Sequence, residues 1–537
     1  MSAQFERVLN TFQTRNSDLL NWAASTITLT VGGEPEGFTI KAEKSGDAVT
    51  TTITAADASG FRYSLNALRR WIEDGASAPL SLSDKPAFRI RGVIEGFYGI
   101  PWRHEQRLRG VANFADFNMN TFMIAPKDSP WQRFKWRDPF TSEFLEQSKE
   151  LVDAGLDNGL AVAICVSPGL SVSYSSASDR EALMVRYRQL QGIGVKHFGL
   201  LFDDIPWELT AEEDIARYKT TALAQADFSN WIYSEVIALD PEAILTVCPM
   251  HYCGRGHEQY LQDMGAALNP KINLFWTGRT ICSEYLEIFD AKIFEETTKR
   301  PPLYWDNFPV NDGSMRHSLY IGPVQQREAG LEAHSAGLLS NPMTQFELSQ
   351  LPVGTIGEYL WNSHTYNPYD AWERSLAKMV PNERDRKALR GLLRCTMGTV
   401  TGGDPAPDLR PIFNTATTAR REGRLAESAK IFRIAGETML EDARVLRDSA
   451  FSRPEVIAEV APWIGKFELG AKTLIGLASI IERSAFDAGQ RCLVANRSLA
   501  EEAGALRDSL DTPKQKMFGD QIDGSLWELM IELGYTE

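Results

Sequence analysis

The sequence predicts an α/β fold: a (β/α)8 barrel over residues 88–372, preceded by a small α+β domain (1–87) and followed by an all-α helical bundle domain (373–537). Two observations carry the barrel. Short apolar runs recur about every 25 to 50 residues with helical material between them, which is the rhythm of parallel strands joined by helices. Each run also ends in polar residues, as expected at the rim where barrels assemble their sites. A third observation, apolar residues at helical spacing throughout the last third of the chain, separates the barrel from a bundle.

In chain order, Ile27 to Val31, Phe38 to Ala42 and Val49 to Ala55 are β-rich, broken by Gly32-Gly33, Glu34-Pro35 and Ser45-Gly46-Asp47. Leu65, Leu68 and Ile72 then give a helix over Ser64 to Ile72, so that an antiparallel sheet plus a helix is expected, and the polar stretch Ser81 to Pro86 reads as a linker. The candidate barrel strands are Ile90-Ile94, Thr121-Ala125, Ala161-Val166, His197-Phe202, Ile244-Val247, Asn273-Phe275, Leu303-Tyr304 and Gly337-Leu339. They are followed by Glu95-Gly96, Lys127-Asp128, Ser167-Pro168-Gly169, Asp203-Asp204, His251-Tyr252, Trp276-Thr277, Asp306-Asn307 and Asn341-Pro342. Together with Tyr98, Trp102, Trp276, Trp305 and Phe308, these outline a pocket offering aromatic faces and hydrogen bonds to a sugar. Beyond about Pro368, Phe432, Ala435, Met439, Ala443 and Leu446 keep helical spacing, as do Trp463, Phe467, Ala471, Leu474, Ala478 and Ile481. Gly402-Gly403-Asp404-Pro405-Ala406-Pro407 is the clearest breaker and reads as a loop or linker.

Chemistry concentrates at Phe198-Gly199-Leu200-Leu201-Phe202-Asp203-Asp204, an apolar run ending in two acids. Side chains alternate along a strand, so adjacent aspartates converge on one ligand only where the strand turns into a loop. The structural alternative is that the pair caps the next segment and solvates the loop.

A net charge of −15 and a pI near 5.2 argue against nucleic-acid and anionic-membrane partners. No apolar stretch is long enough to span a bilayer, and Met1 to Asn21 lacks the basic start and apolar core of a signal peptide, so a cytoplasmic address is expected. Cys165, Cys248, Cys253, Cys282, Cys395 and Cys492 form no C-x-x-C pair and read as reduced, buried thiols. No Gly-x-Gly-x-x-Gly or Walker loop is present, and no cofactor is expected.

The run Arg91-Gly92-Val93-Ile94-Glu95-Gly96-Phe97-Tyr98-Gly99-Ile100-Pro101-Trp102 closely resembles the opening of the catalytic domain in glycoside hydrolase family 84, the O-GlcNAcases and bacterial β-N-acetylglucosaminidases. Further blocks match in order: Asn120 with Ala125-Pro126-Lys127-Asp128, Ser167-Pro168-Gly169, Leu201-Phe202-Asp203-Asp204-Ile205, Cys248-Pro249 with Tyr252, and Trp276-Thr277-Gly278. Trp305-Asp306-Asn307 with Asn311-Asp312, Gly322-Pro323, Asn341-Pro342-Met343 and Tyr359-Leu360-Trp361-Asn362 complete the set. The resemblance implies removal of terminal β-linked GlcNAc from a glycoside or glycoprotein with retention, the substrate's own 2-acetamido carbonyl attacking the anomeric carbon to give an oxazoline. It implies that Asp203 orients the acetamide and that Asp204 is the general acid and base, for which a raised pKa is expected. Tyr252 would bond the acetamido oxygen, Trp305 would wall the methyl pocket, and Gly96 with Lys127 would hold a sugar hydroxyl. Asp312 and Asn341 would fix the O4 and O6 side, and Asn307 would support the carboxylates. The structural alternatives are a rim ion pair between Lys127 and Asp128, a packing role for Tyr252, and a turn role for Asn341.

Ser129, Met250-His251, Ile100 and Gly313 depart from residues common in the family, and these positions flank the pocket, leaving the aglycone open. The helical region is a candidate for homodimerisation. Two rival readings compete: a metal-dependent barrel hydrolase using Asp203, Asp204 and Asp306, and a catalytically silent carbohydrate-binding or scaffold protein. Against the first, the seven histidines are dispersed. Against the second, both acids of the pair are present.

Overall fold

In a computed structural model of the chain, the described residues are 6–8, 10, 11, 14, 26–46, 48–75 and 78–535. They form two compact units, one of Met1–Phe308, Gln326–Pro342 and Ile356–Tyr366, the other of Pro309–Gln325, Met343–Thr355 and Asn367–Glu537.

The first unit opens with a four-stranded sheet of β1 (Thr26–Val31), β2 (Phe38–Ser45), β3 (Ala48–Ala55) and β4 (Leu80–Asp84), in the order β1-β3-β2-β4. A helix over Ala58–Glu73 follows β3, started by Asp57, whose carboxylate accepts from the Gly60 amide. Two expectations are corrected here. β4 occupies most of the stretch expected to be a linker, because Leu80 and Leu82 alternate with serines and let the segment pair with β2. The sheet is mixed rather than antiparallel, since β1 runs parallel to β3. The expectation for residues 1–87 otherwise falls partly outside the described residues.

Eight parallel strands close the barrel: β5 (Ile90–Glu95), β6 (Thr121–Ile124), β7 (Ala161–Val166), β8 (His197–Leu201), β9 (Ile244–Cys248), β10 (Asn273–Trp276), β11 (Leu303–Asp306) and β12 (Gly337–Ser340). Each falls within two residues of its predicted bounds. The runs are nearly all-apolar because both faces are buried, against the outer helices and against the barrel interior. Ile94, Met123, Ala125, Ala163, Cys165, Leu201, Phe275, Leu303, Trp305 and Leu339 fill that interior. The sheet is tied to the barrel through Glu36, which accepts from the buried Arg91 of β5 (2.8 Å) and from Tyr63 (2.9 Å).

The second unit is helical. Its long helices, Leu425–Leu446 and Pro454–Arg483, carry the two predicted apolar stripes into one core with Trp372, Leu389, Phe413, Leu499 and Leu526. The Gly402–Pro407 breaker lies between the helices Glu383–Leu393 and Leu409–Arg421. All six cysteines are free; Cys165, Cys248 and Cys395 are buried and Cys253 and Cys282 half-buried. Cys492 is exposed, contrary to expectation, because it sits on a two-residue strand after the last turn of Pro454–Arg483. Among the described residues no helix is long and apolar enough to cross a membrane.

One buried group gives the fold a pH signature. His197 of β8 is enclosed beside Thr246 Oγ1 (2.8 Å), and burial pushes its pKa from 6.5 down to about 4. The folded imidazole stays neutral while the unfolded one takes a proton, so stability falls as the pH drops from 6.5 towards 4, by up to about 3 kcal/mol. Thermal unfolding of His197→Asn is expected to lose less of its midpoint over that window than the parent; equal losses would assign the acid sensitivity elsewhere.

Candidate active site

The barrel's alternation explains which residues meet at its C-terminal mouth. Successive side chains on a strand face opposite ways, so the residue two beyond each inward-facing core residue also faces inward, one layer higher. Ile94 leads to Gly96, Ala125 to Lys127, Leu201 to Asp203, Trp305 to Asn307 and Leu339 to Asn341. The same phase corrects the expected aromatic lining. Trp305 packs inside against Phe275, whereas Trp276 faces outward and stacks on Phe294 at 5.0 Å. Trp102 is buried among Phe97, Phe114 and Phe122, and Phe308 is fully buried, so of the five predicted aromatics only Tyr98 and Trp305 belong to the site.

Alternation alone would turn Asp204 away from Asp203. Instead Asp204 adopts a left-handed backbone, φ +55°, a conformation that aspartate tolerates better than most residues. The carboxylate is thereby brought back over the mouth, where Tyr98 donates to Oδ2 (2.6 Å) and Tyr252 to Oδ1 (2.8 Å). The loops carrying these donors are themselves fixed: the Thr277 amide bonds the Tyr252 carbonyl (2.8 Å), and the Gly99 amide bonds Asp128 Oδ2 (2.7 Å).

Asp203, 5% exposed, forms a buried ion pair through Oδ2 with Lys127, while its Oδ1 has no partner among the described residues. The rim pairing of Lys127 with Asp128 is thus replaced by a pairing with Asp203, and Lys127 Nζ also lies 4.8 Å from the Trp305 ring centre. A second polar chain borders the cavity: Trp305 Nε1 donates to Asn307 Oδ1 (3.0 Å), Asn341 Nδ2 donates to the same oxygen (2.8 Å), and the Gly96 amide donates to Asn341 Oδ1 (3.1 Å). Asn307 therefore holds Trp305 and Asn341, not the carboxylates as expected, because its inward oxygen meets these neighbours first. Asp312 belongs to the second unit, just before the turn Gly313–Met315, and the cluster described here is built from the first unit alone.

The electrostatics overturn another expectation. Burial alone would raise the Asp204 pKa, but the hydrogen bonds from Tyr98 and Tyr252, with the charges of Lys127 and Arg133, outweigh it and hold the carboxyl below the usual 3.8. The neighbouring carboxylate does not act as an unscreened like charge, since Lys127 pairs with it. Burial and then Asp204 itself push both phenols well up, so they remain protonated donors. Asp306, the third acid of the metal-dependent reading, is bonded at both oxygens by Arg327 (2.6 and 2.8 Å). Among the described residues no group of three or more His, Cys, Asp or Glu side chains is placed to hold a metal ion.

Known proteins show the same arrangement of chain. A family model described as beta-N-acetylglucosaminidase matches residues 91–394, more than half of the sequence. The chain belongs to that beta-N-acetylglucosaminidase family. Protein O-GlcNAcase of Mus musculus is 31% identical over 291 residues, and that of Rattus norvegicus 32% over 291; each match covers 53% of this chain. The matched region spans 31% of each rodent protein, so the chain corresponds to about a third of their length. A mutant of the Thermobaculum terrenum O-GlcNAc hydrolase superposes with a TM-score of 0.74 at 28% identity, covering 83% of this chain and 95% of that one. The solved structure of CpGH84B, at 22% identity, shares the fold, with a TM-score of 0.80 over 97% of this chain and 88% of its own. These matches place the chain in glycoside hydrolase family 84.

Gly96 supplies a sharp test of the site's packing. A methyl group there would overlap Cζ2 and Cη2 of Trp305, which the barrel wall and Asn307 leave little room to move. Gly96→Ala is expected to stay folded, at a cost of about 1–3 kcal/mol, and to raise KM for a hexosaminide at least tenfold. An unchanged KM would show that the Trp305 wall is not part of the sugar site.

Proposed function

We propose that the protein is a retaining exo-β-N-acetylglucosaminidase that removes terminal β-linked GlcNAc by substrate-assisted catalysis. The observation that carries this reading is the division of labour between the two acids: Asp203 anchored by Lys127 with one buried oxygen unpartnered, and Asp204 at the mouth between two phenols. A buried carboxylate oxygen without a partner is costly unless a ligand donor meets it, and an acetamide N–H is such a donor.

In the first step the acetamido carbonyl oxygen bonds to C1, the C1–O bond to the aglycone breaks, and Asp204 gives its proton to the departing oxygen. Asp203 accepts the amide N–H and stabilises the positive charge that develops as the oxazoline ring closes. In the second step water attacks C1, the C1–O bond of the oxazoline breaks, and Asp204 takes the water's proton. Tyr252, released from Asp204, then donates to the acetamido oxygen. Lys127 and the Gly96 carbonyl are assigned a sugar hydroxyl, Trp305 the methyl pocket, Asn341 and Asp312 the O4 and O6 side, and Asn307 the support of Trp305 and Asn341. Since Asp204 rests ionised, it must gain its proton with the substrate, whose arrival excludes water and displaces Tyr252.

The three-part division into residues 1–87, 88–372 and 373–537 is retained as part of this proposal, as is a cytoplasmic address, supported by six cysteines that are all free. The acidic charge supports soluble GlcNAc conjugates over nucleic acid or membrane as partners, and the helical region remains the candidate for self-association.

Aryl β-N-acetylglucosaminides are expected to be hydrolysed, and the matching β-glucosides, which lack the internal nucleophile, to be turned over at least a thousandfold more slowly, on the order of the effect of a well-placed intramolecular group. Comparable rates for the two series in a single assay would rule out neighbouring-group attack. Asp204→Ala should spare substrates with acidic leaving groups and regain rate with azide, whereas Asp203→Ala should lose about 10²–10³-fold with every aglycone. Identical leaving-group slopes for the two variants would refute this assignment of roles.

A further inference from the structure

Arg133 is spent in an unusual way. It lies in the turns between β6 and the helix Ser142–Asp157, only 7% exposed, yet among the described residues no carboxylate is bonded to it. A buried guanidinium is costly unless its donors are used; here Nε has no partner among the described residues, and both Nη groups go to the catalytic turn itself. Nη2 donates to the carbonyl of Asp203 (3.0 Å) and makes a longer contact with that of Asp204 (3.5 Å), while Nη1 donates to the Tyr98 hydroxyl (3.2 Å). Tyr98 in turn donates to Asp204 Oδ2 at 2.6 Å. One planar fork thus grips the main chain on both sides of the left-handed residue and, through a phenol, the carboxylate of that same residue.

We propose that Arg133 is a positioning residue: it locks the Asp203–Asp204 turn and, through Tyr98, aims the Asp204 carboxyl at the leaving-group oxygen. This rests on the functional reading above for the identity of the proton's destination, but the clamp itself is a property of the chain. Lysine cannot substitute for it, because a single ammonium cannot hold two carbonyls and a phenol in fixed directions. Displacing a proton donor by about 1 Å is enough to cost about a hundredfold in rate. The penalty falls on substrates that need the proton and spares those whose aglycone leaves unaided.

The test uses the full chain with Arg133→Met, Arg133→Lys and Tyr98→Phe, assayed against aryl β-N-acetylglucosaminides of graded leaving-group acidity. Arg133→Met is expected to lose about a hundredfold in kcat/KM on the least acidic leaving groups and only a few-fold on the most acidic, with partial recovery in guanidinium chloride at non-denaturing concentration. Arg133→Lys should fall between Arg133→Met and the parent. Tyr98→Phe, which keeps the guanidinium on the carbonyls, should reproduce the leaving-group dependence even where Arg133→Met does not fold. Carbon-13 titration of labelled aspartate carboxyls, with Asp204 identified by Asp204→Asn, should show Asp204 protonating at higher pH in Arg133→Lys and Tyr98→Phe than in the parent. An equal loss across all leaving groups, or an unmoved Asp204 titration, overturns the proposal. If the parent hydrolyses none of the series, the functional reading fails on its own, and the carboxyl titration still decides whether the clamp exists.

Discussion

The left-handed turn at Asp204 is the constraint on which the rest of the site depends. Strand geometry gives adjacent residues opposite directions, and the first acid takes the inward one, above Leu201 and against Lys127. Only a backbone that leaves the extended region at the next residue can bring the second carboxylate back over the same cavity. The positive φ at Asp204 does this, at a local cost of about 1 kcal/mol that surrounding contacts must offset. Those contacts are identifiable. The Phe202 amide continues the ladder onto Cys248 (2.9 Å), the Phe202 ring is packed between Tyr174 and Phe228, and Arg133 holds the carbonyls that follow.

Charge is balanced on the scale of the site, not of the molecule. The chain is strongly acidic, yet its two acids at the mouth are matched by Lys127 and Arg133, both buried. The matching is unequal in kind: Lys127 bonds a carboxylate directly, whereas Arg133 reaches the other only through backbone and a phenol. Asp203 is accordingly fixed in place. Asp204, bonded by neutral hydroxyls that a ligand can displace, keeps a protonation state that binding can change, and in the proposed mechanism an acid that must later act as a base needs that freedom.

Much of this was legible in the amino-acid order. The eight strands announce themselves because a strand buried on both faces must be apolar throughout, and runs such as Phe198 to Leu201 leave no competing pattern. Gly96, Lys127, Asp203, Asn307 and Asn341 could be placed at one mouth because all share the inward phase of their strands. What could not be read depends on phase or on partners distant in sequence. Trp276 and Trp305 look alike as strand-end tryptophans, and only the register that puts Phe275 inside decides that one is wall and the other core. Leu80–Asp84 is short and serine-rich, so its pairing with β2 had no apolar run to reveal it.

Arg133 and the depressed pKa of Asp204 belong together as the least legible features, for a single reason. Each is the sum of contacts from separate loops, at Tyr98, Arg133 and Tyr252, none of which lies within 45 residues of Asp204 in sequence. A reading confined to the acid pair weighs burial and like charge and infers a carboxyl that holds its proton. The folded chain adds two phenols and two cations, and the balance reverses. An arrangement that keeps its acid ionised at rest is poorly suited to protonate a departing group until the ligand itself has removed a donor from the carboxylate. In the proposed mechanism the sugar's acetamide, by claiming Tyr252 as it docks on Asp203, supplies that change at the moment it becomes the nucleophile, which couples recognition of the N-acetyl group to arming of the acid.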